Sequence, residues 1–281
     1  SNLTWFHTNT TNQTVSTGVS GTTGFTSLRT NTGETMSEGL EVTAHVTPIQ
    51  TKDFSVTVGG NYTYLTNTVV SISADLPRLG LGGASYAVAG QPFPIIMGFD
   101  YKRSPDGRVI VDGATGIPQQ SDTISNLGNA TARNKLSLDG TVKYKGFQLA
   151  FLFEYRGGYN IWSSMGSSID WSGTSWRTAQ YDRMRFVFPN SVIADPANPG
   201  KYITNTNISV TNGNGNNGFW SDNINRSVTS NYVHSGDFWK LRELAVSYDI
   251  PSKLLVKSKF IKGCTLSLQG RNLLVWMAPD N

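Results

Sequence analysis

The sequence of 281 residues holds one cysteine, Cys264, and that scarcity excludes an internal disulfide and any thiolate metal cluster. Histidine is almost as rare: His7, His45 and His234 stand far apart, which leaves little material for a catalytic base or a histidine metal site. Charge is sparse too, at 15% of residues with a net +4, and the scattered Lys and Arg give no nucleic-acid footprint. No run approaches the roughly eighteen apolar residues of a membrane helix, and no Gly-x-Ser-x-Gly elbow occurs. Gly213-Asn214-Gly215-Asn216-Asn217-Gly218 spells a dinucleotide-binding pattern by letter, but no helical periodicity follows it to bring a dipole to a pyrophosphate. What the chain has instead is 29 glycines and 11% aromatics at a mean hydropathy of −0.26.

Its order is of period two. Leu136, Leu138, Val142 and Tyr144, a Lys145-Gly146 turn, then Phe147, Leu149, Phe151, Phe153 and Tyr155 put apolar side chains on one face of a hairpin. Lys135, Ser137, Asp139, Thr141, Lys143, Gln148, Glu154 and Arg156 occupy the other. Each arm runs for about ten residues, twice the usual soluble strand and the length needed for a tilted crossing of hydrocarbon. A second hairpin sets Leu40, Val42, Ala44 and Val46 against Phe54, Val56, Val58, Tyr62 and Tyr64 across a turn at 48–52. A third sets Leu244, Val246, Tyr248 and Ile250 against Cys264, Leu266 and Leu268 across a connector at 251–263. The phase slips upstream of Leu244, which predicts a β-bulge near Arg242, and residues 2–15 read as a further, less regular strand. Cys264 falls on the apolar row as a small wall residue. The opening Ser1-Asn2-Leu3-Thr4-Trp5 is already strand-like, so export signals are expected to have been removed or to lie upstream.

Short turns on one side and long connections on the other (16–35, 66–133 and 157–235) are the outer-membrane pattern, with the long loops outside the cell. If the turns at Pro48, Lys145 and Pro251 are periplasmic, each long loop begins and ends outside. The alternating stretch Phe93, Ile95, Met97, Phe99, Tyr101, with a Ser104-Pro105-Asp106-Gly107 turn and a return over 108–111, is then an external hairpin and not wall. About seven wall strands remain. An odd, open set would leave unpaired edges in lipid, so the expected fold is an all-β antiparallel segment of a larger barrel. Tyr62, Tyr64, Tyr144, Tyr155 and Tyr248 fall near strand ends on the apolar face and suit a membrane-interface girdle. Trp162, Trp171, Trp176 and Trp220 crowd the longest loop with Tyr159, Tyr181, Phe186 and Phe219, where they can fold the loop on itself, meet a lid partner or stack on ligand. Asp100, Asp106 and Asp112 on the external hairpin are sparse for a loop calcium site and read first as solvated turn carboxylates.

These residues also carry a resemblance. Gly24-Phe25-Thr26-Ser27, Asn31-Thr32-Gly33-Glu34 and Glu38-Gly39-Leu40-Glu41 resemble the mid-barrel run of the SusC/RagA class of TonB-dependent outer-membrane transporters. Tyr144-Lys145-Gly146-Phe147 with Leu149 is similar to that family's Y-K-G-F-x-L hairpin, and residues 238–251 (FWKLRELAVSYDIP) to its F-x-R-L-x-x-L-x-L-S-Y-x-L-P strand. Gly270-Arg271-Asn272-Leu273 with Trp276 is similar to its G-x-N-L-x-x-W. Glu38 stands where Asn is usual, and Leu241-Arg242 inverts the usual order. The resemblance implies the carboxy-terminal third of a barrel of about 22 strands, without the TonB box, plug domain and last strand. The residues themselves offer no catalytic constellation, so no enzymatic activity and no cofactor are expected. The implied role is TonB-energised import of glycan or peptide oligomers through the outer membrane of a Gram-negative bacterium of the Bacteroidetes kind, under a SusD-like surface lipoprotein lid. A passive porin, a secretion or adhesion scaffold, or a secreted carbohydrate-binding β-sandwich are the alternatives, the last calling for shorter strands with polar outer faces.

Overall fold

The computed structural model describes every residue except 19–21, 23, 25, 26, 74, 75, 211–217, 222, 257, 259, 262, 280 and 281. The Gly-rich run thus falls, apart from Gly218, outside the described residues, as do Phe25 and Thr26 of the first motif.

Three strands open the chain: β1 (Asn2–Gly18), β2 (Ser27–Gln50) and β3 (Phe54–Ser71). The first long connecting segment carries β4 (Arg78–Gly82), β5 (Ser85–Val88), β6 (Ile95–Gly98), β7 (Val109–Ile110) and β8 (Ser125–Asn129). Next come β9 (Asn134–Tyr144) and β10 (Phe147–Gly157). The second long connecting segment holds β11 (Asn160–Trp162), helix α1 (Gly166–Trp171), β12 (Phe186–Val187), β13 (Ser191–Ala194), β14 (Tyr202–Thr204), β15 (Ser209–Val210), helix α2 (Asn223–Ser227) and β16 (Val233–Ser235). Strand β17 (Phe238–Asp249), the short helix α3 (Ser252–Leu255) and β18 (Thr265–Met277) close the sequence.

Seven long strands form one antiparallel sheet in the order β1-β2-β3-β9-β10-β17-β18. Register places the alternating residues of neighbouring strands side by side, so single-strand periodicity becomes a continuous surface. One row runs Leu3, Val42, Tyr62, Leu136, Tyr155, Trp239, Trp276, and a parallel row runs Val56, Val142, Leu149, Val246, Leu268. Between the turn end and the Trp5–Leu40–Tyr64 row this face is mostly apolar, and much of it is exposed, from Trp5 and Val58 to Leu149 and Leu268; beyond that row it turns polar with His7, Glu38 and Thr66. Strands of 11 to 24 residues with an apolar outer face do not fit a soluble β-sandwich.

The other face is polar and ion-paired. His45 on β2 reaches across Gly59 of β3 to Asp139 on β9, with Nε2 3.4 Å from Oδ1. Gly59 is required for that reach, because a Cβ there would lie 2.0 Å from His45 Cδ2. Glu154 accepts from Arg156 Nε at 2.6 Å and from Arg242 Nε. Arg242 gets there through the predicted bulge: Leu152 pairs with Glu243 and Phe153 with Leu241, leaving Arg242 unopposed and turned onto the polar face. Its Nη1 donates to the Oδ1 of Asn272, itself in the left-handed region at φ +53°.

Four expectations are corrected. The connection expected at 16–35 is mostly strand, since β1 runs to Gly18 and β2 begins at Ser27, and β3 likewise extends to Ser71, past the expected loop start. Polar residues hid these extensions, because beyond a bilayer a ladder needs no apolar face. Pro48 does not open a turn. It sits at the register shift between Val46 and Ile49, where a residue without N–H is tolerated, and the turn follows at Thr51. The hairpin expected over 93–111 survives only around its Ser104–Gly107 turn, where Arg103 pairs Val109. Its first arm, β6, pairs β5 and β8, and β7 joins β13 in parallel. β6 is buried at Ile95, Ile96 and Gly98 and half-buried at Met97, so its alternation marks an interior strand and not a two-faced one. Cys264 lies one residue ahead of β18.

The two long connecting segments build one interlocked body. Phe186, Val210, Phe219 and Trp220 make one core, and Val69, Ile72 and Ala87 another at the foot of the first segment. Bonds run between the two segments: Ser230 Oγ to Asp100 Oδ1 at 2.7 Å, and Arg108 Nη1 to Thr204 Oγ1 at 2.7 Å.

Candidate functional site

A cleft of about 640 Å³ opens in this body, lined chiefly by the second segment, with Tyr101 added from the first. Its floor is a chain of rings. Tyr181 lies flat on Phe186 (centroids 4.5 Å apart, planes 7°), Phe186 meets Phe219 edge-on at 5.4 Å, and Phe219 meets Trp220 at 4.7 Å and 81°. Phe188 bridges from Tyr101 (5.6 Å) to Phe219 (5.8 Å).

A buried ion pair holds the wall beside these rings. Asp170, at the end of α1, is 3% exposed and accepts from Arg177 Nη2 at 2.6 Å, while Arg177 Nη1 donates to the Asn231 carbonyl at 3.0 Å. The same guanidinium lies over the Trp220 and Tyr232 rings at 5.0 and 5.5 Å. Ser175 starts the 3-10 turn that presents Arg177, its Oγ accepting from the Arg177 N–H. Opposite, the Tyr101 hydroxyl is 2.8 Å from the Oδ1 atoms of both Asn225 and Asn231. Burial pushes the Tyr101 phenol well above its ordinary value, and burial followed by the nearby Asp170 carboxylate pushes Tyr232 up to about 12. Both phenols therefore stay neutral at physiological pH. Chemically the cleft offers flat apolar faces with neutral polar edges, and its one strong cation is already matched by Asp170. Such a lining takes the face of a sugar ring or an aromatic or aliphatic side chain, with hydrogen bonding at the rim.

Of the four tryptophans singled out in the sequence, Trp176 and Trp220 come together here. Trp176 is 70% exposed at the mouth, whereas Trp220 is 8% exposed and belongs to the core. Trp162 and Trp171 lie outside the cleft: Trp162 packs against Gly83 of the first segment, and Trp171 carries the Arg226 guanidinium 5.8 Å above its ring. Tyr101 entered the sequence reading only as one alternating position of the hairpin expected over 93–111, and Asp170, Arg177 and Tyr232, all within 157–235, drew no notice. Their only signal was residence in an aromatic-rich loop, and the contacts that join them span up to 130 residues. His234 also lines the cleft.

The three loop aspartates do not converge. Asp106 is engaged by Ser104 and Arg108, Asp112 by Ala114 and Thr115, and Asp100 by the Tyr101 N–H and Ser230. Among the described residues no three metal-ligating side chains form a group. The five tyrosines of the apolar face divide between its ends. Tyr144 and Tyr248 sit at the turn end with Phe54 and Phe147, the Phe147 and Tyr248 rings 4.4 Å apart. Tyr62, Tyr64 and Tyr155 sit toward the loop end with Trp5, Trp239 and Trp276, and Tyr155 lies 5.0 Å from Trp239. From Phe147 to Tyr155 is about 26 Å along the strand, or about 20 Å across a bilayer at a tilt of about 40°.

A sheet with these dimensions, one face apolar between two aromatic rows and the other charged, has the features expected of a β-barrel wall. No protein-family model matches the chain. Over 90% of its length it is 24% identical to TonB-dependent receptor P39 of Formosa agariphila, of which it spans 28%. Its fold is similar to that in structures of the RagAB peptide transporter, with a TM-score of 0.68 and 15% identity over 98% of this chain and 29% of that one. The RagAB peptide importer in its open-open state gives 0.66, 16%, 99% and 29%. The chain thus spans under a third of the proteins it matches, and those are receptors and transporters, not enzymes. In sequence and in fold it is similar to the barrel of SusC/RagA-like TonB-dependent receptors, as the motifs implied.

Proposed function

We propose that this chain is the wall and extracellular crown of an outer-membrane importer of the SusC kind, which takes up glycan or peptide oligomers with energy from TonB. The observation that carries the reading is the apolar face, continuous over seven strands and closed at both ends by aromatics. In lipid, β1 and β18, each paired on one side only among the described residues, need further strands. A barrel of about 22 strands supplies them. The tyrosines at 62, 64, 144, 155 and 248 then serve as the interfacial girdle, with the turns at Thr51 and Lys145 and the 251–264 connector in the periplasm. The matched receptor and the RagAB structures support this direction of function, and a SusD-like lipoprotein seated over the crown completes it. The aromatic cleft is the crown's ligand-contacting surface, with Trp176 and Tyr181 at its mouth.

The test is uptake by intact cells expressing the full-length protein, with labelled oligosaccharide and peptide mixtures offered to strains with and without TonB. Saturable uptake that disappears with TonB is expected. Recovery of the protein in the soluble fraction, or uptake indifferent to TonB, overturns the proposal; the latter result would favour a passive porin.

A further inference from the structure

The turn that brings Tyr181 to the cleft is strained. Tyr181, Asp182 and Arg183 stand in succession in the left-handed region, at φ +56°, +51° and +58°. Side chains with a Cβ resist that region, so such residues persist only where surrounding contacts compel them, and they gather at ligand clamps and switches. Burial supplies little of that compulsion, since residues 181–185 are all exposed. Among the contacts of the turn are a Met184 N–H to Tyr181 carbonyl bond at 2.8 Å, an Arg183 Nη2 to Gly173 carbonyl bond at 3.1 Å, and the Tyr181 ring lying flat on Phe186. Phe186 is the opposite case. It is 8% exposed, it meets Phe219 edge-on, and its strand β12 pairs with β15. A fixed ring thus carries on one face a second ring hung from a strained, exposed turn.

We infer that the Phe186 face is a seat for an aromatic side chain of a peptide ligand, and that Tyr181 occupies it as a displaceable placeholder. Centroids 4.5 Å apart with planes at 7° are the stacked arrangement an incoming ring would take. The seat is built of phenylalanines, Phe186 against Phe219 and Phe219 beside Phe188. Their side chains offer hydrocarbon and no donor or acceptor for the hydroxyls of a sugar. Displacing Tyr181 exchanges one stack for another and releases the left-handed turn, so relief of backbone strain favours the exchange. While Tyr181 is in place the seat is closed, and apparent affinity is lowered by the fraction of molecules in which it is open. The inference rests on the cleft being the ligand-contacting surface, and adds the chemistry it selects and the residue that must leave.

The experiment is calorimetric titration of the full-length protein in detergent with the tripeptide Ala-Tyr-Ala, and with Ala-Leu-Ala and maltotriose for comparison. Tyr181→Ala removes the placeholder from an exposed position. With the seat open in about a tenth of unaltered molecules, this variant is expected to bind Ala-Tyr-Ala about tenfold more tightly, and to bind Ala-Leu-Ala and maltotriose as before. Tyr181→Phe keeps the ring and should match the unaltered protein with all three probes. Weaker or unchanged binding of Ala-Tyr-Ala to Tyr181→Ala overturns the placeholder, as does a gain of the same size in Tyr181→Phe. An equal gain for maltotriose overturns the aromatic selectivity. TonB-dependent uptake, measured in parallel, separates the two levels. If uptake needs TonB but Ala-Tyr-Ala binds neither the unaltered protein nor Tyr181→Ala, the seat alone fails; if uptake is indifferent to TonB, the importer assignment fails.

Discussion

The long-stranded wall and the body built by the long connections use the same alphabet by opposite rules. In the wall each strand pairs with a neighbour through a register fixed by period-two alternation, and many apolar side chains stay exposed, as the proposed lipid-facing role requires. In the body the strands have two to five residues, and stability comes from small cores and from bonds between segments far apart in sequence. The contrast separates two uses of an aromatic residue. Tyr155 and Trp239 face outward at an edge, whereas Phe219 and Trp220 close a core.

The face assignment is the part of this contrast most easily broken. Phe151→Arg, at the middle of the apolar face, is expected to destabilise the full-length barrel by about 2–4 kcal/mol, as a lipid-facing charge at the midplane does. Ala150→Arg, one residue away on the polar face, should cost under about 1 kcal/mol. Urea unfolding in vesicles measures both. If Ala150→Arg is the more damaging, the two faces have been exchanged.

In the body, Trp220→Ala should cost about 3–5 kcal/mol by emptying the core it shares with Phe186 and Phe219. Trp176→Ala, at an exposed mouth, should change stability by less than about 0.5 kcal/mol while weakening ligand capture. Hydrogen exchange over 157–235 reads the first effect and uptake reads the second. Equal protection loss in both variants would show that Trp176 belongs to the core and not to a binding surface.

The wall was legible because its pairs are local. Tyr144 and Phe147 flank a two-residue turn, so alternation on each side predicts both register and facing. Even the Arg242 bulge left a trace, a slip of apolar phase from Leu241 to Leu244. Strand ends were harder to see, since β1, β2 and β3 run on past the apolar face with polar residues that look like loop. The body was illegible for a different reason. β7 pairs β13 across some eighty residues, and the Asp170–Arg177 pair needs Asn231 and Trp220 to complete it. No periodicity announces such contacts. Trp162 and Trp220 share a loop and a composition, yet one packs on Gly83 and the other fills a core.

On the polar face of the wall, Gly59 gives a smaller effect with a sharper signature. Gly59→Val drives a side chain into the His45 ring and separates it from Asp139, at a cost of about 1–3 kcal/mol. Because the clash has one identified partner, His45→Ala in the same background should restore most of the loss. Additive costs in a double-mutant cycle would mean that the two side chains do not meet.

The smallest expected effect belongs to the body's turns and concerns pH. Asp112 accepts hydrogen bonds from the Thr115 N–H (2.7 Å), the Thr115 hydroxyl (2.9 Å) and the Ala114 N–H (3.0 Å), and these hold its carboxyl below the ordinary carboxylate value. A carboxylate with a depressed folded pKa contributes stability that is fully present above its unfolded pKa, near 3.9, and is lost as pH falls through the folded value. The group is largely solvated, so the loss should be local to the turn. Protection of the Ala114 and Thr115 amides, corrected for intrinsic exchange, should fall below about pH 4, whereas the amides of β9 and β10 stay unchanged. Asp112→Asn should remove that pH dependence while keeping a side-chain acceptor. If the protection persists in acid, or falls equally in the wall, the carboxylate is not what orders this turn.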